Sequence, residues 1–211
     1  MKTEFTFYEL LRRGETRQFV VPELQRDYVW EEKNWRQLLE NLRDAYHASL
    51  EPVSLQVVGA AELQEEFLTY YRQQRHGYNL GFLYAYHDPA YAGHCFLIDG
   101  QQRLTTLFLL LLAAAKQDGR TEHFARHYLM ANGEPSLAYR VREAADEFLS
   151  NFVDYVLEGK AVDNLTVHSA ERPYWFFSTY AHDATVSQIL ANFRGMAEWL
   201  ATPLLVPTTA D

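Results

Sequence analysis

Phe96-Leu97-Ile98-Asp99-Gly100-Gln101-Gln102-Arg103-Leu104-Thr105-Thr106-Leu107 runs a strand end, a glycine turn, a group of polar side chains and a helix start together without a break. A helix start carries backbone N–H groups with no intrahelical partner and the positive end of the helix dipole, so this junction is a ready anion site. Arg103 adds a guanidinium able to grip a phosphate through two hydrogen bonds. Asp99 has the chemistry to hold Mg²⁺ or to orient a water, since a carboxylate beside a phosphate needs a cation or proton between them. Gln101 and Gln102 offer amides that position water or read an amide edge. The same residues also have a purely structural reading. Asp99 would accept the Gln102 N–H while Gln102 reaches back, a capping-box arrangement in which Gly100 merely permits the turn.

Outward from this junction, Leu107–Ala115 is an uninterrupted apolar run of nine residues, which predicts a helix buried on nearly all sides. It is well short of the roughly 18–20 residues a membrane span requires. Upstream, Gly81–His87 and His94–Ile98 are aromatic and β-branched runs separated by Asp88-Pro89 and Gly93, the pattern of two paired strands. Val20-Val21-Pro22 reads as a strand end. Glu31–Leu50 carries Trp35, Leu38, Leu39, Leu42 and Tyr46 at helical spacing, and Glu62–Gln74 suggests a second, more polar helix in a surface insertion. Downstream, Val141–Leu157 repeats apolar residues at helical intervals up to Gly159, and Thr185-x-x-Gln188 signals the start of a last helix that turns Val186, Ile189, Leu190, Phe193 and Leu200 inward. The expectation is an α+β fold with few strands and many helices.

Composition narrows the function classes. The chain has 211 residues, 48% apolar and 22% charged, enough for a full core without metal or disulfide staples. One cysteine, Cys95, excludes an internal disulfide, and its place in an apolar strand marks it as a buried inert thiol. With an N-terminus that lacks an apolar signal core, a cytoplasmic location is expected and a membrane partner is not. A net charge of −9 opposes nonspecific adhesion to nucleic acid, yet 15 of the 19 basic residues are arginines, whose planar fork suits phosphate. No Gly-x-x-x-x-Gly-Lys-Ser/Thr string occurs, so a nucleotide would not sit in a P-loop. His123 and His127 have the spacing of a two-histidine metal grip but no Glu or Cys to complete it, so solvated histidines are the expectation.

A second motif lies near the N-terminus. Val21-Pro22-Glu23-Leu24-Gln25-Arg26-Asp27-Tyr28-Val29-Trp30 precedes the Trp35 helix, and Leu80-Gly81 opens the first of the paired strands. Taken alone, Arg26 beside Asp27 reads as a surface ion pair. Tyr28 and Trp30 have the surfaces to stack on a base, although one of them should face the core, Trp30 being the better candidate for that. Together with Asp99-Gly100-Gln101-Gln102-Arg103, this order resembles the N-terminal domain of GmrSD-type modification-dependent restriction endonucleases, over residues 20 to 112.

The resemblance implies a ParB/sulfiredoxin-like small mixed sheet over residues 1–118, with a helical extension over 119–211 packed on it. It implies nucleotide binding or hydrolysis that governs DNA restriction in antiphage defence. Gln25 and Arg26 would line one pocket with Asp99, Gly100, Gln101, Gln102, Arg103 and Thr105, and Arg142 would be the extension's contribution, against its ordinary reading as a solvated helix residue. Asp99, Gln102 and Arg103 are the expected catalytic groups, with Asp99 on the metal. The expected ligands are Mg²⁺ and a nucleoside triphosphate, whether GTP, ATP, CTP or UTP. The expected partners are DNA, directly or through an HNH-type nuclease module or subunit, and a further copy in a homo-oligomer. The sequence ends at Asp211 without a His-His-Asn arrangement, so DNA cleavage by this chain itself is not expected. The competing expectation is a module of the same fold that holds modified DNA or a nuclease and hydrolyses nothing.

Overall fold

The computed structural model describes residues 7–11, 18–50 and 78–202. The helix expected over Glu62–Gln74 lies outside them, as does the C-terminal end from Pro203 onward. The chain divides into two compact units, Met1–Glu31 with Phe82–Asp211, and Glu32–Gly81. In the smaller unit, α2 (Glu32–Leu50) follows a short α1 (Phe7–Leu11) of the larger. Its stripe of Trp35, Leu38 and Leu39 is buried, whereas Tyr46, expected on that stripe, is exposed. Glu32 and Arg36 pair one turn apart at 2.6 Å, and the Arg36 guanidinium lies 4.9 Å over the Trp35 ring.

The larger unit is α+β. Its sheet has four strands in the order β2-β3-β1-β6, made of β1 (Gln18–Val21), β2 (Tyr84–Tyr86), β3 (His94–Asp99) and β6 (Leu137–Tyr139). A separate two-stranded ribbon is formed by β4 (Met130–Ala131) and β5 (Glu134–Pro135). The central β1 runs parallel to both β3 and β6, with Val20 opposite Phe96 and Ala138, and β2 pairs antiparallel to β3 as the sequence predicted. Alternation gives the sheet two faces. Phe19, Val21, Cys95, Leu97, Leu137 and Tyr139 are buried on one face; Val20, Phe96 and Ala138 form a small cluster on the other. Cys95 is buried and in no disulfide, as expected.

Helix α3 (Gln101–Asp118) carries the long apolar run and is buried around most of its circumference. It stops at Gly119, whose φ of +71° lets its N–H bond Ala115 O at 3.1 Å, a glycine-terminated helix end. A single turn, α4 (Thr121–Phe124), then leads into a π-helical turn at Ala125–Leu129. Helices α5 (Glu143–Leu157) and α6 (Ala184–Ala201) complete the unit, and both pack on α3. The aromatic side chains between them interlock: Phe148 stacks on Phe152 at 5.3 Å, and Phe152 meets Phe193 edge to face at 5.1 Å.

The start of α6 differs from the sequence expectation. Asp183, not Thr185, is the N-cap, accepting the Val186 N–H at 3.0 Å. Thr185 is fully buried and turns its hydroxyl to Asp27 and to the Tyr28 N–H instead, each at 3.2 Å. Gln188 bonds Asn192 rather than reaching back to the helix start.

Candidate functional site

The three parallel strands leave the sheet at one edge, and each delivers a polar segment there. Strand β1 ends at Val21 and passes into the Pro22–Gln25 turn, closed by Gln25 N–H to Pro22 O at 3.0 Å, with Arg26 next. Strand β3 ends at Asp99 and continues through Gly100 into α3. Strand β6 ends at Tyr139 and leads through Arg140 to Arg142 at the start of α5. Ligands of sheets with parallel strands settle outside the carboxyl ends of the strands, where loops diverge. The topology therefore brings Gln25, Arg26, Asp99, Gln101, Gln102, Arg103 and Arg142 to one edge.

The turn before α3 depends on glycine. Gly100 has φ +90°, and a Cβ there would stand 2.8 Å from Leu83 Cδ1 and 3.2 Å from Phe82 O. It is the N-cap of α3, and no side chain caps the helix. The capping-box reading of Asp99 and Gln102 is thus corrected. Asp99 is exposed, with no side-chain hydrogen bond among the described residues. The Gln102 amide has gone elsewhere: its Oε1 accepts the Val29 and Trp30 N–H groups at 2.9 and 3.2 Å, and its Nε2 donates to Asp27 O at 2.8 Å. A buried glutamine so placed satisfies three backbone groups of the 27–30 loop, which has no secondary structure to do so. Gln102 thus positions the loop.

That loop is held from several sides. Tyr28, fully buried, bonds Thr106 Oγ1 at 2.8 Å and accepts Asn192 Nδ2 at 3.0 Å; the same Asn192 nitrogen donates to Trp30 O at 2.6 Å. Arg142 bridges Asp27 Oδ2 at 2.6 Å and Asp183 Oδ2 at 3.1 Å, which ties the loop to the caps of α5 and α6. Taken alone, the dipeptide reads as an Arg26–Asp27 pair; the ion-pair partner of Asp27 is Arg142. Asn192 and Asp183 were not foreseen. Asn192 had a visible signal, since it sits between Ile189 and Phe193 on the inward face of an apolar helix.

Other motif residues lie outside this network of hydrogen bonds. Gln101 is only 3% exposed, and its amide has no hydrogen-bond partner among the described residues. One turn further, the Thr105 hydroxyl is buried and unpaired, as is the Tyr139 hydroxyl. Burial pushes the Tyr139 phenol far above its usual range, tempered by Thr105 nearby without a full hydrogen bond. Burial raises Tyr28 to about 12, with the bonds to Thr106 and Asn192 opposing. Arg26 is exposed, while Arg103 is half-buried and donates through Nη2 to Phe82 O at 2.8 Å.

Among the described residues no group of three or more His, Cys, Asp or Glu is arranged to hold a metal. His123 and His127 stack at 4.4 Å, with His127 Nδ1 on the His123 carbonyl. A cavity of about 440 Å³ opens along β6 and α5, lined by Glu134, Arg140, Glu143 and Asp146 among others, and contains none of the motif residues except as neighbours in sequence.

A family model described as the GmrSD restriction endonuclease N-terminal domain matches residues 7–192. The chain belongs to that family. No curated protein and no solved structure gives a match. As a GmrSD N-terminal domain, the chain is tied to restriction and antiphage defence, and its family implies DNA and a nuclease module as associates. The match covers the strand edge, the 25–30 loop and α3 in full and reaches Asn192, so the polar network that fixes the loop falls inside it. No helix among the described residues is long and apolar enough to cross a membrane.

Proposed function

We propose that this GmrSD N-terminal domain binds a nucleoside triphosphate with Mg²⁺ at the carboxyl edge of its parallel strands and hydrolyses it, licensing DNA restriction in the cytoplasm through DNA or a nuclease module. The observation that carries the reading is the start of α3, where the N-cap is Gly100, without a side chain to cap the helix, and Asp99 stands exposed beside it. Anions settle where unpaired helical N–H groups and the helix dipole coincide. Arg103 and Arg26 add positive charge on phosphate, and Gln101 supplies an unengaged amide to a water or a phosphate oxygen. A lone carboxylate fits Mg²⁺ better than it fits a transition metal, because Mg²⁺ is held by one or two carboxylates with phosphate oxygens and waters. Bound there, the ion would neutralise phosphate charge and polarise the bond to be broken.

The roles differ from the expected set in two places. Gln102 holds the 27–30 loop through three backbone bonds, and Arg142 holds Asp27 and Asp183, so both position the loop beside the motif. These two engagements favour a second reading, a module of the same architecture that holds modified DNA or a nuclease and hydrolyses nothing. A thermal-shift panel of GTP, ATP, CTP and UTP, each with and without Mg²⁺, followed by phosphate-release assays, separates them. A ligand at 100 times its Kd adds about 2.7 kcal/mol of stability. Stabilisation with phosphate release supports the first reading, stabilisation without release removes hydrolysis from it, and no shift with any nucleotide overturns it and favours the second.

A further inference from the structure

Two large aromatic rings stand in solvent beside the motif. Phe82 is 78% exposed and Tyr84 56%, and their centroids lie 6.1 Å apart with planes at 39°. Their neighbours on the strand pair are already engaged: Tyr86 stacks on Phe96 at 5.2 Å, and Tyr91 meets the same ring edge-on at 5.6 Å. Tyr28, read from the sequence as a base-stacking candidate, is fully buried with its hydroxyl in two hydrogen bonds. Exposed aromatics on a sheet edge are costly to hydrate and invite unwanted pairing, so a role is called for.

The backbone that carries the two rings is fixed to motif residues at the start of α3. Arg103 donates to the Phe82 carbonyl at 2.8 Å, and Gly100 packs so closely on Phe82 and Leu83 that no side chain fits between. Tyr84 lies opposite Asp99 in the antiparallel register, at an irregularity between Tyr84 and Ala85. Cross-strand partners sit within about 5.5 Å at the backbone, and bulges re-aim side chains beside functional sites. An anion at the start of α3 would therefore have a cation, a carboxylate and an open aromatic surface around it. That combination matches a ligand with a polyanionic end and a flat, apolar-faced ring.

We propose that Phe82 and Tyr84 form the platform on which the base of the bound nucleoside triphosphate stacks. The proposal rests on the nucleotide reading of the same site and adds which residues hold the other half of the ligand. Stacking discriminates weakly among bases, since every base has a π face, so the platform accepts all four nucleotides and favours the larger purines modestly.

The test measures equilibrium binding of each nucleotide and of inorganic tripolyphosphate to the full chain, as wild type, Phe82→Ala/Tyr84→Ala, Phe82→Leu/Tyr84→Leu and Arg103→Ala. The alanine pair is expected to weaken every nucleotide at least tenfold while tripolyphosphate affinity stays within about twofold, because stacking acts on the base alone. The leucine pair keeps apolar bulk without a π face and should show the same selective loss. Arg103→Ala should weaken nucleotide and tripolyphosphate alike. Unchanged nucleotide affinity in either aromatic pair overturns the platform and leaves the nucleotide reading standing. Equal loss of tripolyphosphate also overturns it. A wild type that binds no nucleotide removes the nucleotide reading and the platform together.

Discussion

Asp99 and the two buried tyrosines beside the motif make opposite demands on a substitution. Asp99 caps nothing and is exposed, so Asp99→Asn should leave the melting temperature unchanged. If its carboxylate holds the metal or orients water, nucleotide hydrolysis should fall about 10²-fold or more, the usual contribution of a positioned acid or base. A fully active Asn variant rules out that role. Tyr28→Phe strips the Thr106 hydroxyl of its bond and Asn192 Nδ2 of one of its two, and should cost about 1–3 kcal/mol in urea unfolding. Tyr139→Phe removes a buried hydroxyl that has no partner, so it should be neutral or raise stability. Equal destabilisation by both changes would show that the Tyr139 hydroxyl is satisfied in solution.

At the scale of elements, the strand-turn-helix junction is the part that hinges on one glycine. Gly100→Ala forces an L side chain to φ +90° and drives its Cβ against Leu83 and the Phe82 carbonyl. The left-handed backbone alone costs about 1–2 kcal/mol, and backbone crowding adds to it. Gly119→Ala is the control: its φ is +71°, but nothing lies within 4 Å of the added atom, so only the backbone penalty applies. Thermal melts should rank Gly100→Ala well below Gly119→Ala. This junction, the β2–β3 pair, the end of β1 and the helices α2, α3, α5 and α6 were legible because local periodicity and turn chemistry fix them, whereas β6 and the parallel pairing of β1 were not. What the sequence hid is nonlocal. Gln102 reads as half of a capping box with its neighbour Asp99, yet its partners lie 72, 73 and 75 residues away. Thr185 reads as a cap three residues before Gln188, yet its hydroxyl serves a loop more than 150 residues upstream. In each case an orphaned backbone group in the 27–30 loop outcompetes the local bond, because a buried unpaired N–H or C=O costs more than a surface cap returns.

Across the molecule, Tyr28 links segments far apart in the chain: the loop after β1, helix α3 through Thr106 and helix α6 through Asn192. Its protonation is therefore coupled to the packing of the larger unit as a whole. In the folded state burial raises its phenol from 10 to about 12, and Tyr139 is raised further for the same reason. The sign follows from linkage. A raised folded-state value means that between the unfolded and folded values the native protein keeps a proton that the unfolded chain has lost. Stability is thus fully present below pH 10 and declines as pH rises through 10 toward 12, the slope being set by the number of protons retained. Urea midpoints measured from pH 8 to 11.5 should be flat at the acidic end and fall steeply above about 10. Tyr28→Phe removes one of the retained protons, so its curve should start lower and descend less steeply. A mutant whose alkaline slope matches that of the wild type would show that Tyr28 ionises freely, and hence that the loop carrying Gln25 and Arg26 is not locked to α3 and α6 by this phenol.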